Sequence, residues 1–191
     1  MNKIIWPLLL CAVLCGCGGG ETGNAVQEQY RTLETARLEA EVTSHTSTDS
    51  RTFTLLCSYD ADGDAVTTVT DPGELAGLTA VVSGTDMTLS SEGLQLPAWA
   101  SLDICPANCL PYLLRALADG YVLEQSSEAL DDTPCLRLAL DTTAPGGGGK
   151  VLCAVWLDAE GLFPRYAEFS RNEQVVLTVK LLAFTCTTSE G

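Results

Sequence analysis

Cys105 and Cys109 are the two side chains whose type and spacing could most readily do chemistry. They stand four residues apart at the predicted start of a helix, where the helix N-terminus can lower the pKa of a thiol. Their Cys-x-x-x-Cys spacing differs from the Cys-x-x-Cys of redox proteins. A zinc site would need two further thiols or imidazoles, and His45 is the sole histidine. We therefore expect either a local disulfide or two buried free thiols.

Four aspartates, Asp60, Asp62, Asp64 and Asp71, are spaced like part of a calcium-binding loop. Such a loop needs glycine at its sixth position and glutamate at its last, and Ala65 and Asp71 stand at those places. The Asp-Gly dipeptide at 62–63 instead predicts a tight hairpin turn.

The remaining motifs give no catalytic, metal-binding or cofactor-binding site. His45 could act as a general base, but the sequence contains no Gly-x-Ser-x-Gly motif that would supply a nucleophile. The glycine run 146–149 is not followed by the Lys-Ser/Thr of a phosphate loop. We therefore expect a protein that is not an enzyme and uses no cofactor.

The N-terminus carries the chain's clearest chemical motif. Lys3 precedes an apolar run from Ile4 to Leu14, which is too short to span a bilayer. Leu14, Gly16 and Cys17 then form a Leu-x-Gly-Cys pattern, which resembles a bacterial lipobox. The resemblance implies recognition of Leu14 and Gly16 by a signal peptidase, diacylglyceryl transfer to the Cys17 thiol and cleavage before Cys17. The alternatives are an ordinary secretory signal and an uncleaved anchor.

The charge of the chain limits its partners. Asp and Glu number 25 against 10 Lys and Arg, for a formal net charge of −15. This balance lacks the basic footprint of nucleic-acid binding. It also disfavours docking on anionic lipid head groups, so we expect attachment to the membrane through acyl chains on Cys17.

Six cysteines follow the lipobox, and all lie in the part of the chain expected to be exported: Cys57, Cys105, Cys109, Cys135, Cys153 and Cys186. An even number permits disulfides in an oxidising compartment, with 15 possible pairings. Buried free thiols are the alternative, because free cysteine packs as a small apolar residue.

The hydrophobic pattern predicts residues 1–16 as a signal peptide, 17–23 as a lipidated cysteine with a flexible tether, and 24–191 as one domain. Asn24 is expected to cap a helix over 25–36, and Asn108 to open a second helix that ends at Gly120. Alternation of apolar residues predicts about ten strands in two meanders, near 38–46, 53–59, 65–70, 78–83, 87–90, 121–127, 135–142, 151–158, 163–170 and 175–185.

The last predicted strand is apolar on both faces, unlike a half-solvated antiparallel strand. One face carries Val175, Leu177, Val179 and Leu181, and the other carries Val176, Leu182 and Phe184. We expect one face to pack on helices and the other to meet a second layer, a cavity or a partner.

The order of helix, meander, central helix and second meander resembles the LolA/LolB-like lipoprotein carrier superfamily. The likeness covers most of the mature chain by pattern, through segments such as 30–42, 69–77, 110–114 and 155–166. It implies an α+β fold in which a curved antiparallel sheet of about ten strands forms a half-barrel with helices on its concave side. It also implies that the concave side holds acyl chains or other hydrophobic ligands.

Four aromatic residues are candidates for the lining of such a cavity: Trp99, Tyr112, Trp156 and Phe184. Packing in the core is the default role for each of them.

We expect, then, a membrane-anchored lipoprotein on the extracytoplasmic face of the cell membrane that binds a hydrophobic small molecule. The anchor on Cys17 disfavours the long-range shuttling that the family resemblance alone would suggest. The alternative is a sensor or interaction module that binds another envelope protein and holds no ligand.

Overall fold

The two strands at the centre of the sheet are its longest strands, because their apolar residues extend over many positions. The computed structural model describes residues 19–98, 103–143 and 149–189. Its first half contains α1 (Gly19–Arg31), β1 (Leu33–His45), β2 (Ser50–Asp60), β3 (Ala65–Asp71), a 3₁₀ turn (Gly73–Leu75), β4 (Thr79–Ser83), β5 (Asp86–Ser91) and β6 (Leu94–Ala98). Its second half contains α2 (Cys109–Asp119), β7 (Tyr121–Leu130), β8 (Thr133–Thr143), β9 (Lys150–Asp158), β10 (Pro164–Arg171) and β11 (Gln174–Thr188).

The strands form one open antiparallel sheet in the order β6-β5-β4-β3-β2-β1-β11-β10-β9-β8-β7. Each half is a meander of neighbouring strands, and the two halves join where β1 pairs with β11. The predicted α+β half-barrel is therefore confirmed. The described residues form eleven strands rather than about ten, because 94–98, which lies outside the ten predicted strands, pairs with β5. Pro97 is tolerated there, because an edge strand needs no amide donor on its free side.

The predicted bounds of the first helix were wrong at both ends. Helix α1 spans Gly19–Arg31 rather than 25–36, so part of the predicted tether is helical and Asn24 lies inside the helix. Buried Gly23 explains the longer N-terminal end, because its Cα packs near the side chains of Val122 and Gln125 on β7.

The start of β1 was not predicted, because the strand contains a bulge. Leu33 and Ala36 are both buried although they stand three residues apart, because the register against β11 shifts between Leu33 and Thr35. From Ala36 onward the alternation is regular. The three-residue spacing imitates a helix, so the pattern assigned this segment to α1.

Helix α2 is buried on all sides. Nine of its eleven residues are buried: Cys109, Leu110, Pro111, Tyr112, Leu113, Leu114, Ala116, Leu117 and Ala118. A helix without a polar face must be enclosed, and α2 contacts α1, β2 and β8. It ends at Gly120 as predicted, where a Cβ would lie 2.4 Å from the carbonyl oxygen of Ala116.

The described helices do not include one that is both long enough and apolar enough to cross a membrane.

Phe169 tests the assignment of the core. Its side chain is 0% exposed and its ring meets that of Tyr112 edge-on at 5.7 Å. We expect Phe169→Ala to lower the free energy of unfolding by about 3–5 kcal/mol, because it removes apolar contacts and leaves a cavity. Urea denaturation followed by circular dichroism measures the loss. Phe163→Ala is the matched control, since Phe163 is 39% exposed and its loss should be clearly smaller. Equal losses would contradict this core.

Candidate ligand cavity

Several residues predicted to be functional lie outside the described part of the chain. They are Leu14, Gly16 and Cys17 of the lipobox and the candidate cavity residue Trp99.

Tyr112 belongs to the core. It is 5% exposed, its ring packs on Phe169, and its hydroxyl forms a short hydrogen bond with the hydroxyl of Thr142. Thr142 in turn donates to the carbonyl oxygen of Val151 at 2.9 Å. Tyr112 therefore connects α2 to β8 and β9, which is the core role that the sequence analysis gave as its default.

Trp156 lies on the opposite face of β9 from the buried Val155 and Leu157. Its indole Nε1 donates to Glu128 Oε2 at 2.9 Å, and the guanidinium of Arg137 lies 5.3 Å from the ring centroid. The hydrogen bond from this indole, followed by that from Ser126, lowers the pKa of Glu128. Trp156 therefore belongs to a polar cluster on the outer face of the sheet.

Phe184 is half-buried between two other aromatic rings. Its ring centroid lies 6.5 Å from that of Tyr30 and 5.4 Å from that of Phe163. A register shift in β11 lets both Leu181 and Phe184 face inward, because they pair with Ala40 and Leu38. Leu182 is left 51% exposed. The strand that looked apolar on both faces is thus a bulged strand with most apolar residues on one side.

A strongly apolar cavity with a volume of about 190 Å³ lies against the first meander. It is lined by residues of β2, β3, β4, β5, the 3₁₀ turn and the segment before α2: Phe53, Leu55, Thr67, Val69, Leu75, Leu78, Ala80, Leu89, Cys105, Pro106 and Ala107. None of the three predicted aromatic residues that the structure describes, Tyr112, Trp156 and Phe184, is among them. The sequence did show the alternating apolar residues of these strands, but not that the segment 105–107 would close over them.

Larger depressions elsewhere are open and lined by polar residues. One of about 480 Å³ lies where β1, β2 and β11 meet and includes Arg37, Asp60 and Asp64 in its lining. The described residues contain no group of three or more histidine, cysteine or acidic side chains placed to hold a metal ion.

The side chain of Asn108 holds the segment that closes the cavity. Its Oδ1 accepts a hydrogen bond from the backbone N–H of Cys105 at 2.9 Å, and its Nδ2 donates to the carbonyl oxygen of Asp103 at 3.0 Å. Asn108 stands at the N-cap position of α2 as predicted, but its side chain bonds backward to this segment rather than to the helix. Arg171 on β10 also forms an ion pair with Asp103, with 2.8 Å between the guanidinium Nη2 and the carboxylate Oδ1. The angles of this contact are not those of a hydrogen bond.

The thiols of this region are free and are not activated. Cys105 lines the cavity, whereas Cys109 is fully buried and its Sγ donates to the carbonyl oxygen of Pro106 at 3.4 Å. Burial raises the pKa of both thiols, that of Cys109 strongly, and so outweighs the effect of the helix N-terminus. Since all six cysteines between Cys57 and Cys186 are free, the structure follows the free-thiol alternative.

Alkaline pH should destabilise the protein through its buried thiols. Burial raises the pKa of Cys57 from 9.0 to about 11, so above pH 9 the unfolded chain releases a proton that the folded chain retains. The stability from this one thiol is complete below pH 9 and is lost by about pH 11, a loss of about 2–3 kcal/mol. Urea midpoints under reductant at pH 8 to 11 should fall less steeply for Cys57→Ala than for wild type. An equal fall of the urea midpoint with pH in Cys57→Ala and wild type would contradict this role of the Cys57 thiol.

No protein-family model and no curated protein sequence matches the chain. Among solved structures it is similar to a DUF1329 family protein from Desulfovibrio piger, with 13% identity over 90% of this chain and 94% of that one, at a TM-score of 0.53. It is also similar to an uncharacterized conserved protein from Thermus thermophilus, with 10% identity, coverage of 89% and 88%, and a TM-score of 0.50. A LolA superfamily protein from Nitrosomonas europaea matches with 13% identity, coverage of 88% and 94%, and a TM-score of 0.46. The first two of these similarities show that the chain shares its overall fold with solved structures despite an identity of only 10–13%.

Proposed function

We propose that the chain is a membrane-anchored bacterial lipoprotein, attached through lipid on Cys17, that binds a small hydrophobic molecule without covalent chemistry. The observation that carries this proposal is the apolar cavity between β2–β5 and the segment 105–107. An anchored protein with such a cavity would serve as a fixed receptor on the extracytoplasmic face of the membrane.

The cavity favours ligands through the burial of apolar area. A ligand of the size of one aromatic side chain would bury roughly 150–200 Å². At about 25 cal/mol per Å² this contributes about 4–5 kcal/mol, which corresponds to dissociation constants near 1 mM or somewhat below. Binding of this strength requires an assay at high ligand concentration with a readout specific to the site.

Cys105 supplies such a readout, because it lines the cavity. In the full chain reconstituted in phospholipid nanodiscs, 2-heptanone at saturating concentration should slow alkylation of Cys105 by iodoacetamide. Cys186, which lies outside this cavity, is the internal control and should react at an unchanged rate. Mass spectrometry of tryptic peptides reports both rates in one sample.

Filling the cavity should abolish the protection. Ala107 is half-buried in the wall of the cavity, so Ala107→Phe should place its ring in the space that the ligand needs. Ala183→Phe is the matched control, since Ala183 is exposed on β11.

Persistent protection in Ala107→Phe, or none in wild type at saturation, would contradict ligand binding in this cavity. In the second case, a stoichiometric envelope protein recovered by crosslinking would favour the interaction module instead.

The anchor is tested at the lipobox itself. Cys17→Ser should abolish acylation, because only a thiol can take the diacylglyceryl group as a thioether, and the protein should leave the membrane fraction. Cys15→Ser is the matched control two residues earlier and should remain acylated. Mass spectrometry of the N-terminal peptide and membrane fractionation measure both outcomes. Detection of acylation on the Cys17→Ser protein would contradict the proposed anchor.

A further inference from the structure

Thr67 is the one residue with a hydroxyl group among the eleven that line the apolar cavity. Its hydroxyl donates a hydrogen bond to the thiol sulfur of Cys57, its partner on the neighbouring strand β2. The side chain of Thr67 is only 2% exposed, so it presents essentially no accessible surface to the cavity. The hydroxyl is therefore used within the sheet and is not available to a ligand.

The backbone of the lining strands is also bonded within the protein. Strands β2, β3, β4 and β5 each have a paired strand on both sides, so their N–H and C=O groups serve the sheet. In the turn between β3 and β4, the N–H of Leu78 donates to the carbonyl oxygen of Leu75 at 3.1 Å. The carbonyl oxygen of Leu78 accepts from the N–H of Val69 at 2.9 Å.

The polar groups of the segment 105–107 bond to the start of α2. The carbonyl oxygen of Cys105 accepts from the N–H groups of Asn108 at 3.2 Å and Cys109 at 3.0 Å. The carbonyl oxygen of Pro106 accepts from the thiol of Cys109, and proline has no N–H. Among the lining side chains this leaves the thiol of Cys105, which is only a weak donor and acceptor. The wall therefore has almost nothing with which to bond a polar ligand atom.

The size and charge of the cavity restrict its ligands further. An engineered apolar cavity of about 150 Å³ holds benzene, so about 190 Å³ accommodates roughly eight non-hydrogen atoms. None of the eleven lining side chains carries a charge, so a carboxylate would lose its hydration without a compensating cation. Leu75, Leu78 and Ala107 are only half-buried, and the cavity opens to solvent at these residues.

We propose that the cavity selects small hydrocarbons and rejects analogues of the same shape that carry an oxygen or nitrogen atom. The inference rests on the proposed function and names its ligand class: compact hydrocarbons of roughly eight carbon atoms or fewer. A polar atom carried into the cavity loses its hydration and gains no hydrogen bond, a cost that a hydrocarbon does not have. A ketone such as 2-heptanone binds only with its oxygen at the opening, and therefore needs a higher concentration.

Benzene and pyrazine isolate this selectivity. They have nearly the same shape, and pyrazine carries ring nitrogens at opposite ends, so at least one nitrogen must enter the cavity in any orientation. Protection of Cys105 from iodoacetamide gives an apparent dissociation constant for each probe, in the full chain in nanodiscs, with free aqueous probe measured by headspace gas chromatography. Benzene should bind at least about 30-fold more tightly, the lower range for burying one polar group without a hydrogen bond.

Three variants show whether this selectivity arises in the cavity. Thr67→Val should leave the ratio of the two constants unchanged within about twofold, because no hydrogen bond to a ligand is lost. Ala107→Phe should abolish protection by benzene, and Ala183→Phe, on the exposed side of β11, should retain it. The alkylation rate of Cys186, outside the cavity, should not respond to either probe.

The results that would overturn the inference differ from those that would overturn the proposed function. Similar constants for benzene and pyrazine in wild type, or a ratio that rises clearly in Thr67→Val, would mean that the wall does bond a polar ligand atom. Protection by 2-heptanone but not by benzene would also contradict hydrocarbon selectivity, while ligand binding in the cavity would stand. Absence of protection by benzene, pyrazine and 2-heptanone alike contradicts the proposed function itself.

Discussion

The pairing of β1 with β11 is the interaction on which the rest of the structure depends. It runs from Leu33 opposite Thr188 to Ser44 opposite Leu177 and joins the two meanders into one sheet. The two strands lie near opposite ends of the chain, so their pairing closes the longest loop in the fold. Without it, α2 would lie between two separate small sheets, and neither could cover a helix that is buried on all sides.

The position of α2 then determines where the ligand cavity lies. The helix enters the concave side at Cys109, directly after a segment that turns back over β2–β5. Asn108 stabilises this turn with both ends of its side-chain amide. The cavity is therefore a product of two distant parts of the chain: strands that supply an apolar floor, and a short segment held over it by local hydrogen bonds.

Much of the fold could be predicted because its signals are local. Alternating residues marked the strands, and Gly120 marked the end of α2, where no Cβ can be accommodated. The bulges in β1 and β11 could not be predicted, because a bulge breaks the two-residue period and is defined only by the partner strand. The same limit led the pattern to assign Leu33 to the first helix and to give β11 two apolar faces.

The candidate site was less accessible to sequence reasoning. Aromatic residues were named as candidates for cavity lining, with core packing as their default role. Tyr112 does fill the core, whereas Trp156 faces outward and Phe184 packs among other rings. The lining consists mainly of smaller aliphatic residues from neighbouring strands, which look the same in sequence whether they surround a core or a void.

The early start of α1 has a mechanical consequence for the proposed lipoprotein. Only Gly18 separates Cys17 from the first residue of the helix, so the connection spans at most about 7 Å even when fully extended. A connection this short would keep the start of α1 close to the bilayer surface. The acyl chains would act as a pivot at one corner of the sheet, close to β7, and any molecule entering the cavity would approach a domain held at nearly constant height above the lipid surface.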